Sequence, residues 1–248
     1  MRAYIDESGH EQKGWMFLAG FVGNNEQWTE FVPIWKEALG PQRKLLHMNQ
    51  LRWKKDRTRR LLERLGPVPS NCKLIPMLAG VRYQDYEDLV SGTPEQKLLK
   101  GYIACLAPMV IQTLRGIPKD ETLELVFEEQ QEYASLVDMS LAMAVIAASQ
   151  GEPWSQTPDG KPKLAKWGFV KKGSTIMTDP ADYLAFALRE VWTNPKSQKA
   201  RWCHPILKSG NGEGFGVIMQ RPLIRRMIIQ TRMRAVLQGL DNEIKRIT

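Results

Sequence analysis

The stretch YIDESGH (Tyr4–His10) places two adjacent carboxylates directly behind a short apolar run at the start of the chain. Residues Arg2 to Ile5 are partly β-branched or aromatic and predict a first strand, and Ser8-Gly9 is a pair typical of a turn. Two acids at the end of a strand are costly to bury unless a divalent metal or a basic partner neutralises them. A solvated turn beside the N-terminus is the alternative interpretation of the same residues.

Length and composition favour a globular protein. The chain has 248 residues, 43% hydrophobic and 25% charged, enough for one large domain or one domain with an elaboration. No apolar run is long enough to span a bilayer, and no secretion signal opens the sequence. The three cysteines are widely spaced and predict neither a metal knuckle nor a disulfide framework. We therefore expect a cytoplasmic protein without a membrane partner.

The net charge of +8 is concentrated in two basic blocks. Leu51 to Gly66 and Arg221 to Thr248 each contain seven Lys or Arg against two acids. Such blocks indicate a nucleic-acid partner held through its phosphates, although a solvated helix face is the alternative. The residues predicted to bind nucleic acid are Arg52, Lys54, Lys55, Arg57, Arg59, Arg60, Arg225 and Arg226. Trp53 lies among them and could stack on a base.

Hydrophobic periodicity predicts alternating strands and helices. The predicted strands are Arg2–Ile5, Trp15–Val22, Cys72–Val81, Thr122–Phe127 and Ala165–Val170. The predicted helices are Glu26–Leu39, Asn49–Leu65, Pro94–Leu114, Glu132–Gln150, Asp179–Trp192 and Pro222–Leu240. Pro76 indicates a bulge or an edge position in the third strand, and the glycine-rich Ser209–Gly216 predicts a hinge or surface loop.

The order of these elements is typical of an RNase H-like fold of the α/β class. That fold predicts a mixed five-stranded sheet with helices on both faces. The expected domain covers residues 1–192, with a helical insertion at about 26–66. Residues 193–248 are expected to form a basic C-terminal helical extension packed on the same domain.

In such a sheet the first and fourth strands can lie side by side, which would bring Asp6 and Glu128 together at the carboxyl ends of the strands. Asp182, one turn into the last long helix before the extension, could close the site. Converging carboxylates repel one another unless cations lie between them, and hard oxygen ligands select Mg²⁺ or Mn²⁺. The strand period does not decide whether Glu128 or Glu129 faces the site. Asp179 is either a fourth ligand or a helix cap.

Four segments resemble motifs of the DUF3800 family, an uncharacterised group with a predicted RNase H-like fold of the retroviral integrase-like superfamily. YIDESG (Tyr4–Gly9) resembles the opening motif of that family, and KLLHM (Lys44–Met48) resembles its Lys-x-x-His segment. LVFEEQ (Leu125–Gln130) resembles its apolar strand ending in paired acids, and TDPADYLAFALR (Thr178–Arg189) resembles its Ala-Asp helix. The resemblance spans roughly residues 1 to 192.

The resemblance implies metal ligands at Asp6, Glu128 and Asp182. It adds Glu7 and Glu129 to the catalytic acids as their neighbours. The chain departs from the family pattern at Glu128, where Asp is usual, and at Asp179, where Gln is usual. Family members are often bacterial or carried on mobile elements, so the resemblance also implies a bacterial or phage source.

Two histidines are candidates for supporting roles beside the acids, namely His10 and His47. The function expected from these residues is a nuclease that hydrolyses phosphodiester bonds with two metal ions. Two alternatives stay open: a non-catalytic nucleic-acid-binding protein with a degenerate acidic site, and a phosphohydrolase acting on small nucleotides. Neither the choice of DNA or RNA nor the oligomeric state follows from the sequence.

Overall fold

The computed structural model describes residues 1–10, 13–91, 101–128, 134, 137–138, 140–142, 154–208 and 214–226. The predicted acid Glu129 lies outside these ranges. Much of the predicted helix Glu132–Gln150 also lies outside them, and so does the part of the predicted helix Pro222–Leu240 that follows residue 226. The described residues of the first of these two helices are helical, and Val137 and Leu141 are buried in the core.

The described strands are β1 (Arg2–His10), β2 (Lys13–Gly23), β3 (Ile75–Arg82), β4 (Leu123–Glu128), β5 (Leu164–Val170) and β6 (Phe215–Met219). The described helices are α1 (Asn25–Leu39), α2 (Asp56–Leu65), α3 (Val68–Asn71), α4 (Tyr83–Val90), α5 (Gly101–Gly116), α6 (Asp179–Thr193) and α7 (Gln198–Lys208). Two short 3-10 helices, Met48–Gln50 and Ile176–Thr178, precede α2 and α6, and residues 221–226 are helical.

One mixed sheet organises the chain, as the α/β prediction requires. Its strand order is β5-β4-β1-β2-β3-β6, so the described residues form six strands rather than the predicted five. The β1–β2 and β2–β3 pairs are antiparallel, whereas β1–β4, β4–β5 and β3–β6 are parallel. The predicted adjacency of the first and fourth strands is confirmed.

The first strand is longer than predicted. Instead of turning at Ser8-Gly9, β1 continues to His10, with Asp6 opposite Ala19 and Ser8 opposite Phe17 on β2. The register shifts between Ser8 and His10, and Gly9 has φ +131°. A β-carbon at Gly9 would lie 2.6 Å from the Trp15 carbonyl oxygen, so this position requires glycine. The dipeptide that predicted a turn forms a β-bulge, which keeps both acids inside the sheet.

Helices cover both faces of the sheet. Along β1, Ala3 and Ile5 pack into the layer that contains α5, while Tyr4 packs into the layer that contains α1, α2, α6 and α7. Side chains alternate between the two faces of a strand. The side chain of each strand residue therefore faces one of these two layers.

The basic helix begins later than predicted. Asn49 belongs to the 3-10 helix, and α2 begins only at Asp56. Met48 and Leu51 are buried, which holds the intervening chain against the core. The Thr58 hydroxyl donates to the Arg52 carbonyl oxygen at 2.9 Å and closes the loop before α2. Asn49 is therefore not the cap of this helix.

The C-terminal region contributes a strand that the sequence did not predict. Residues Phe215 to Met219 form β6, which pairs with Met77 to Val81 on β3. The predicted loop Ser209–Gly216 thus ends inside a strand. Pro76 lies just before this pairing begins, so the proline does not interrupt the β3–β6 ladder. Within the described residues, no helix is long and apolar enough to cross a membrane.

Candidate functional site

Four carboxylates lie on the α6 side of the sheet. Asp6 lies two residues after Tyr4 on β1, and Glu128 lies two residues after Val126 at the end of β4. Tyr4 and Val126 both pack into the layer that contains α6. By strand alternation Asp6 and Glu128 share that face. Asp179 and Asp182 lie in the first turn of α6. These four residues are called the acidic cluster below.

The structure orients Glu128, which sequence period left undecided. Leu125 and Phe127 pack into the α5 layer, so Glu128 belongs to the opposite face, with Asp6. Its side chain is 6% exposed. Glu129 lies outside the described residues.

Glu7 lies on the other side of β1 from Asp6. It is opposite Leu18, which packs into the α5 layer, and its side chain is half-buried. Burial raises the pKa of Glu7, and the nearby Lys172 ammonium opposes that rise. Strand alternation places the two residues on opposite faces, yet the Glu7 side chain is hydrogen-bonded to that of Asp6 and feels the charge of Glu128.

Asp179 is held by two donors from distant parts of the chain. The Trp35 indole N–H donates to Asp179 Oδ2 at 3.1 Å, and the Leu46 amide donates to the same oxygen at 2.8 Å. The residue is 3% exposed, and burial raises its pKa to about 7. Since Thr178 occupies the N-cap position of α6, Asp179 serves as a buried acceptor inside the helix rather than as its cap.

Asp182 is fixed in a similar way. The Met48 amide donates to Asp182 Oδ2 at 3.0 Å. Burial raises the pKa of Asp182, as does the charge of Glu128, while Lys172 and His47 act in the opposite direction.

The KLLHM segment explains why these carboxylates are hydrogen-bonded. Leu46 and Met48 are buried in the apolar layer, so their backbone amides are also withdrawn from water and need acceptors. Asp179 and Asp182 supply those acceptors. His47, between the two, is half-buried at the edge of the acidic cluster. The side chain of His10, the other predicted supporting histidine, is outside the described part of the structure.

Lys172 is a residue of this site that sequence reasoning missed. Its Nζ lies 2.9 Å from Glu128 Oε2, and the Gly173 amide donates to Glu128 Oε1 at 3.2 Å. Burial acts to lower the pKa of Lys172, but the hydrogen bond and charge of Glu128 raise it overall. A signal was present in the sequence, since Lys171-Lys172-Gly173 directly follows a predicted strand. Parallel neighbours β4 and β5 bring their carboxyl ends to the same edge of the sheet.

The cluster carries an excess of negative charge. Burial raises the pKa of Asp6 well above its ordinary value, and the charges of Glu7, Asp182 and Glu128 raise it further. Carboxylate oxygens are the ligands that Mg²⁺ and Mn²⁺ prefer, so the residues suit either ion in chemistry and in charge. Within the described ranges, no group of three or more His, Cys, Asp or Glu side chains has the spacing of metal ligands. The acids are instead arranged around protein hydrogen-bond donors and Lys172.

The predicted nucleic-acid-binding residues fall into two separate regions, and all of them are exposed. Arg52, Lys54 and Lys55 follow the 3-10 helix whose first amide donates to Asp182. Arg225 and Arg226 follow β6, which β2 and β3 separate from β1.

Several side chains in the first basic block already have protein partners. Arg59 lies 3.1 Å from Asp56, and Arg60 lies 3.6 Å from the same carboxylate. Trp53, predicted as a base-stacking residue, packs on Phe186 of α6 with parallel rings 5.2 Å apart. The contact with Phe186 occupies one face of the Trp53 indole.

Comparison with known proteins adds no assignment. No family model and no curated protein matches this chain. The resemblance to the DUF3800 family therefore stays an expectation.

The structure also contains a cavity of about 520 Å³ away from these acids. Its lining includes Arg2, Glu124 and Lys166, at the amino ends of β1 and β4. Glu124 pairs with both basic residues, at 2.7 Å and 3.0 Å. Arg2, Glu124 and Lys166 thus neutralise one another in this cavity, whereas the acidic cluster has more acids than bases, so the latter is the better candidate site.

Proposed function

We propose that this protein is a metal-dependent nuclease of RNase H-like fold, with Asp6, Glu128 and Asp182 as ligands of Mg²⁺ or Mn²⁺. One observation carries the proposal. Carboxylates from β1, β4 and α6 occupy one buried cluster, in which burial and the neighbouring carboxylates raise the pKa values of Asp6 and Asp182. Buried like charges are costly, so such a cluster favours a divalent cation.

The order of the strands supports the fold assignment. β1 is flanked by antiparallel β2 and parallel β4, which is the neighbour relationship on which the RNase H-like expectation depends. β5 then extends the sheet beyond β4 in parallel. This arrangement puts Asp6, within β1, and Glu128, at the end of β4, on the side of the sheet where α6 begins.

Bound divalent ions would activate a water molecule and stabilise the leaving oxygen of a phosphodiester. The protein residues have distinct tasks around them. Asp6, Glu128 and Asp182 would hold the ions, and Asp179 accepts from the Leu46 amide and keeps that backbone against α6. His47 lies at the edge of the cluster, where it could meet the substrate.

The proposed substrate is nucleic acid, bound through its sugar–phosphate backbone. Arg52, Lys54 and Lys55 are exposed in the segment that follows the Met48–Asp182 hydrogen bond, and their charges suit the phosphates of a nucleic acid. The predicted pair Arg225 and Arg226, on the far side of β3, would serve only a longer substrate.

The first test is Mn²⁺ binding by calorimetry, together with cleavage of single- and double-stranded DNA and RNA. Asp6→Asn and Asp182→Asn should each abolish cleavage, and the double variant should lose Mn²⁺ binding, while nucleic-acid binding is kept or improved. Glu37→Gln, an exposed acid on α1, is the matched control and should behave as the wild type. Cleavage that survives in Asp6→Asn would refute the proposal.

A second candidate is a nucleic-acid-binding protein in which the acidic cluster is degenerate. The observation that favours it is the Lys172–Glu128 ion pair, which neutralises one acid without a metal. Under this alternative Asp6→Asn changes neither metal binding nor nucleic-acid affinity.

Cleavage of free nucleotides that survives the combined substitutions Arg57→Gln, Arg59→Gln and Arg60→Gln would instead identify a small-nucleotide phosphohydrolase.

A further inference from the structure

The loop that follows β5 brings a basic residue into the acidic cluster. Lys172 is 64% exposed along its side chain, yet its ammonium reaches Glu128, which is 6% exposed. The stem of the lysine therefore lies in solvent while its charged end enters the site. The charge of Lys172 also acts on Asp182 and Glu7.

The backbone holds this loop in place independently of the lysine. The Gly173 amide donates to the second oxygen of Glu128. Gly173 has φ +69°, and a β-carbon there would lie 3.3 Å from Leu45 and 3.4 Å from His47 Nε2. The loop is thus held at Gly173 between Glu128 and the KLLHM segment.

We propose that Lys172 is a resident cation that holds Glu128 until a divalent ion takes its place, and that the released ammonium then binds a phosphate of the nucleic-acid substrate. This inference rests on the proposed function. An ammonium and a divalent ion compete for the same carboxylate, since each compensates its charge. Lys172 is anchored beside the site by its backbone, so after displacement it stays within reach of a phosphate bound there.

The first experiment titrates Mn²⁺ into the wild-type protein and into Lys172→Met by calorimetry. Methionine keeps a long, flexible apolar stem and removes the charge. Loss of the competing ion pair should tighten Mn²⁺ binding about 2- to 5-fold. Lys172→Arg keeps the charge and should bind Mn²⁺ as the wild type does. Lys171→Met removes the exposed neighbouring charge and should have little effect.

The second experiment measures the affinity of a short single-stranded oligonucleotide as a function of salt, with Ca²⁺ as the divalent ion. Lys172→Met should bind more weakly, and the slope of log K against log salt should fall by about 0.7, the value of one lost phosphate contact on a single strand. Lys172→Arg should keep the slope of the wild type.

The outcomes separate this inference from the proposed function. If neither the wild type nor Lys172→Met binds Mn²⁺, the metal site itself is refuted. If both bind Mn²⁺ with equal affinity, or if the salt slope is unchanged, the role of Lys172 is refuted and the metal site stands. Thermal melting of Lys172→Met and Lys172→Arg checks that both variants are folded before either titration.

Discussion

At the scale of single residues, Asp179 shows how a carboxylate can be structural inside a candidate active site. Its oxygen accepts hydrogen bonds from Trp35 on α1 and from the Leu46 backbone, which joins three segments far apart in sequence. Asp182 does the same for Met48 but lies nearer the positive charge of Lys172. We therefore assign Asp179 to the support of the site, and keep Asp182 as a proposed ligand.

The titration of Asp179 predicts a specific pH dependence of stability. Its pKa is about 7 in the folded protein against an ordinary value of 3.8, so the folded state binds the proton more tightly than the unfolded state. The stabilisation due to this proton is complete below pH 3.8 and is lost as the pH rises through about 7. Asp179→Asn keeps an acceptor oxygen for both donors and removes the ionisation.

In EDTA the free energy of unfolding of Asp179→Asn should therefore rise relative to wild type between pH 4 and pH 8, by at most about 4 kcal/mol. Chemical denaturation at a series of pH values measures this difference. Glu37→Gln should show no such trend. A constant difference between Asp179→Asn and wild type at all pH values would contradict the prediction.

At the scale of elements, the β-bulge at Gly9 determines where Asp6 and Glu7 of the first strand lie in the sheet. The bulge lets β1 continue past Asp6 and Glu7 while the hairpin to β2 closes at His10 and Lys13. The backbone of Trp15 lies against Gly9 so closely that no side chain fits. The position of Asp6 thus depends on a glycine three residues away.

Gly9→Ala should destabilise the protein by about 3 kcal/mol or more, because the new β-carbon meets backbone atoms as well as an unfavourable φ. Gly160→Ala is the matched control. Gly160 also has positive φ, at +79°, but has no atom within 4 Å of the added carbon, so it should cost only about 1 kcal/mol. Urea denaturation measures both, and equal losses would show that steric contact at the bulge does not matter.

The basic block before and within α2 also divides into two parts. Lys54 and Lys55 are exposed in the loop before α2, whereas Arg59 and Arg60 share the carboxylate of Asp56 on that helix. Charges that already have a neighbouring acid contribute less to the local potential that a phosphate meets.

Under the proposed function, Lys54→Gln with Lys55→Gln should weaken oligonucleotide binding more than Arg59→Gln with Arg60→Gln. Each lost phosphate contact should lower the salt slope by about 0.7 to 0.9. Fluorescence anisotropy at several salt concentrations compares the two double variants, which remove the same total charge. A larger effect of the arginine pair would place the nucleic acid on α2 instead.

At the scale of the whole molecule, the C-terminal region is part of the sheet. β6 covers the edge of β3 in parallel, and Phe215 packs so closely on Gly116 of α5 that a β-carbon there would lie 1.9 Å from its ring. Arg221 pairs with Asp85 and Asp88 of α4, which ties the segment after β6 to the same face. The region predicted as a basic helical extension therefore also completes the sheet.

Removal of residues 209–248 should lower thermal stability and promote self-association, because it exposes the edge of β3 from Met77 to Val81. Arg225→Gln with Arg226→Gln reduces the charge of the same region without touching β6, and should melt as the wild type does. Melting curves and light scattering distinguish the two. A truncated chain that stays monomeric and equally stable would show that β6 is dispensable.

The sequence by itself determined the α/β class, most of the strands and the acids of β1 and β4. These features depend on local periodicity, which a single segment carries in its own residues. The tertiary structure alone decided which carboxylate faces α6. It also decided that the Leu46 and Met48 amides donate to Asp179 and Asp182, more than a hundred residues away, and that Lys172 pairs with Glu128. It also placed β6 beside β3. The physical reason is that each of these contacts joins segments distant in the sequence, whose meeting depends on strand order and on the packing of helices against the sheet.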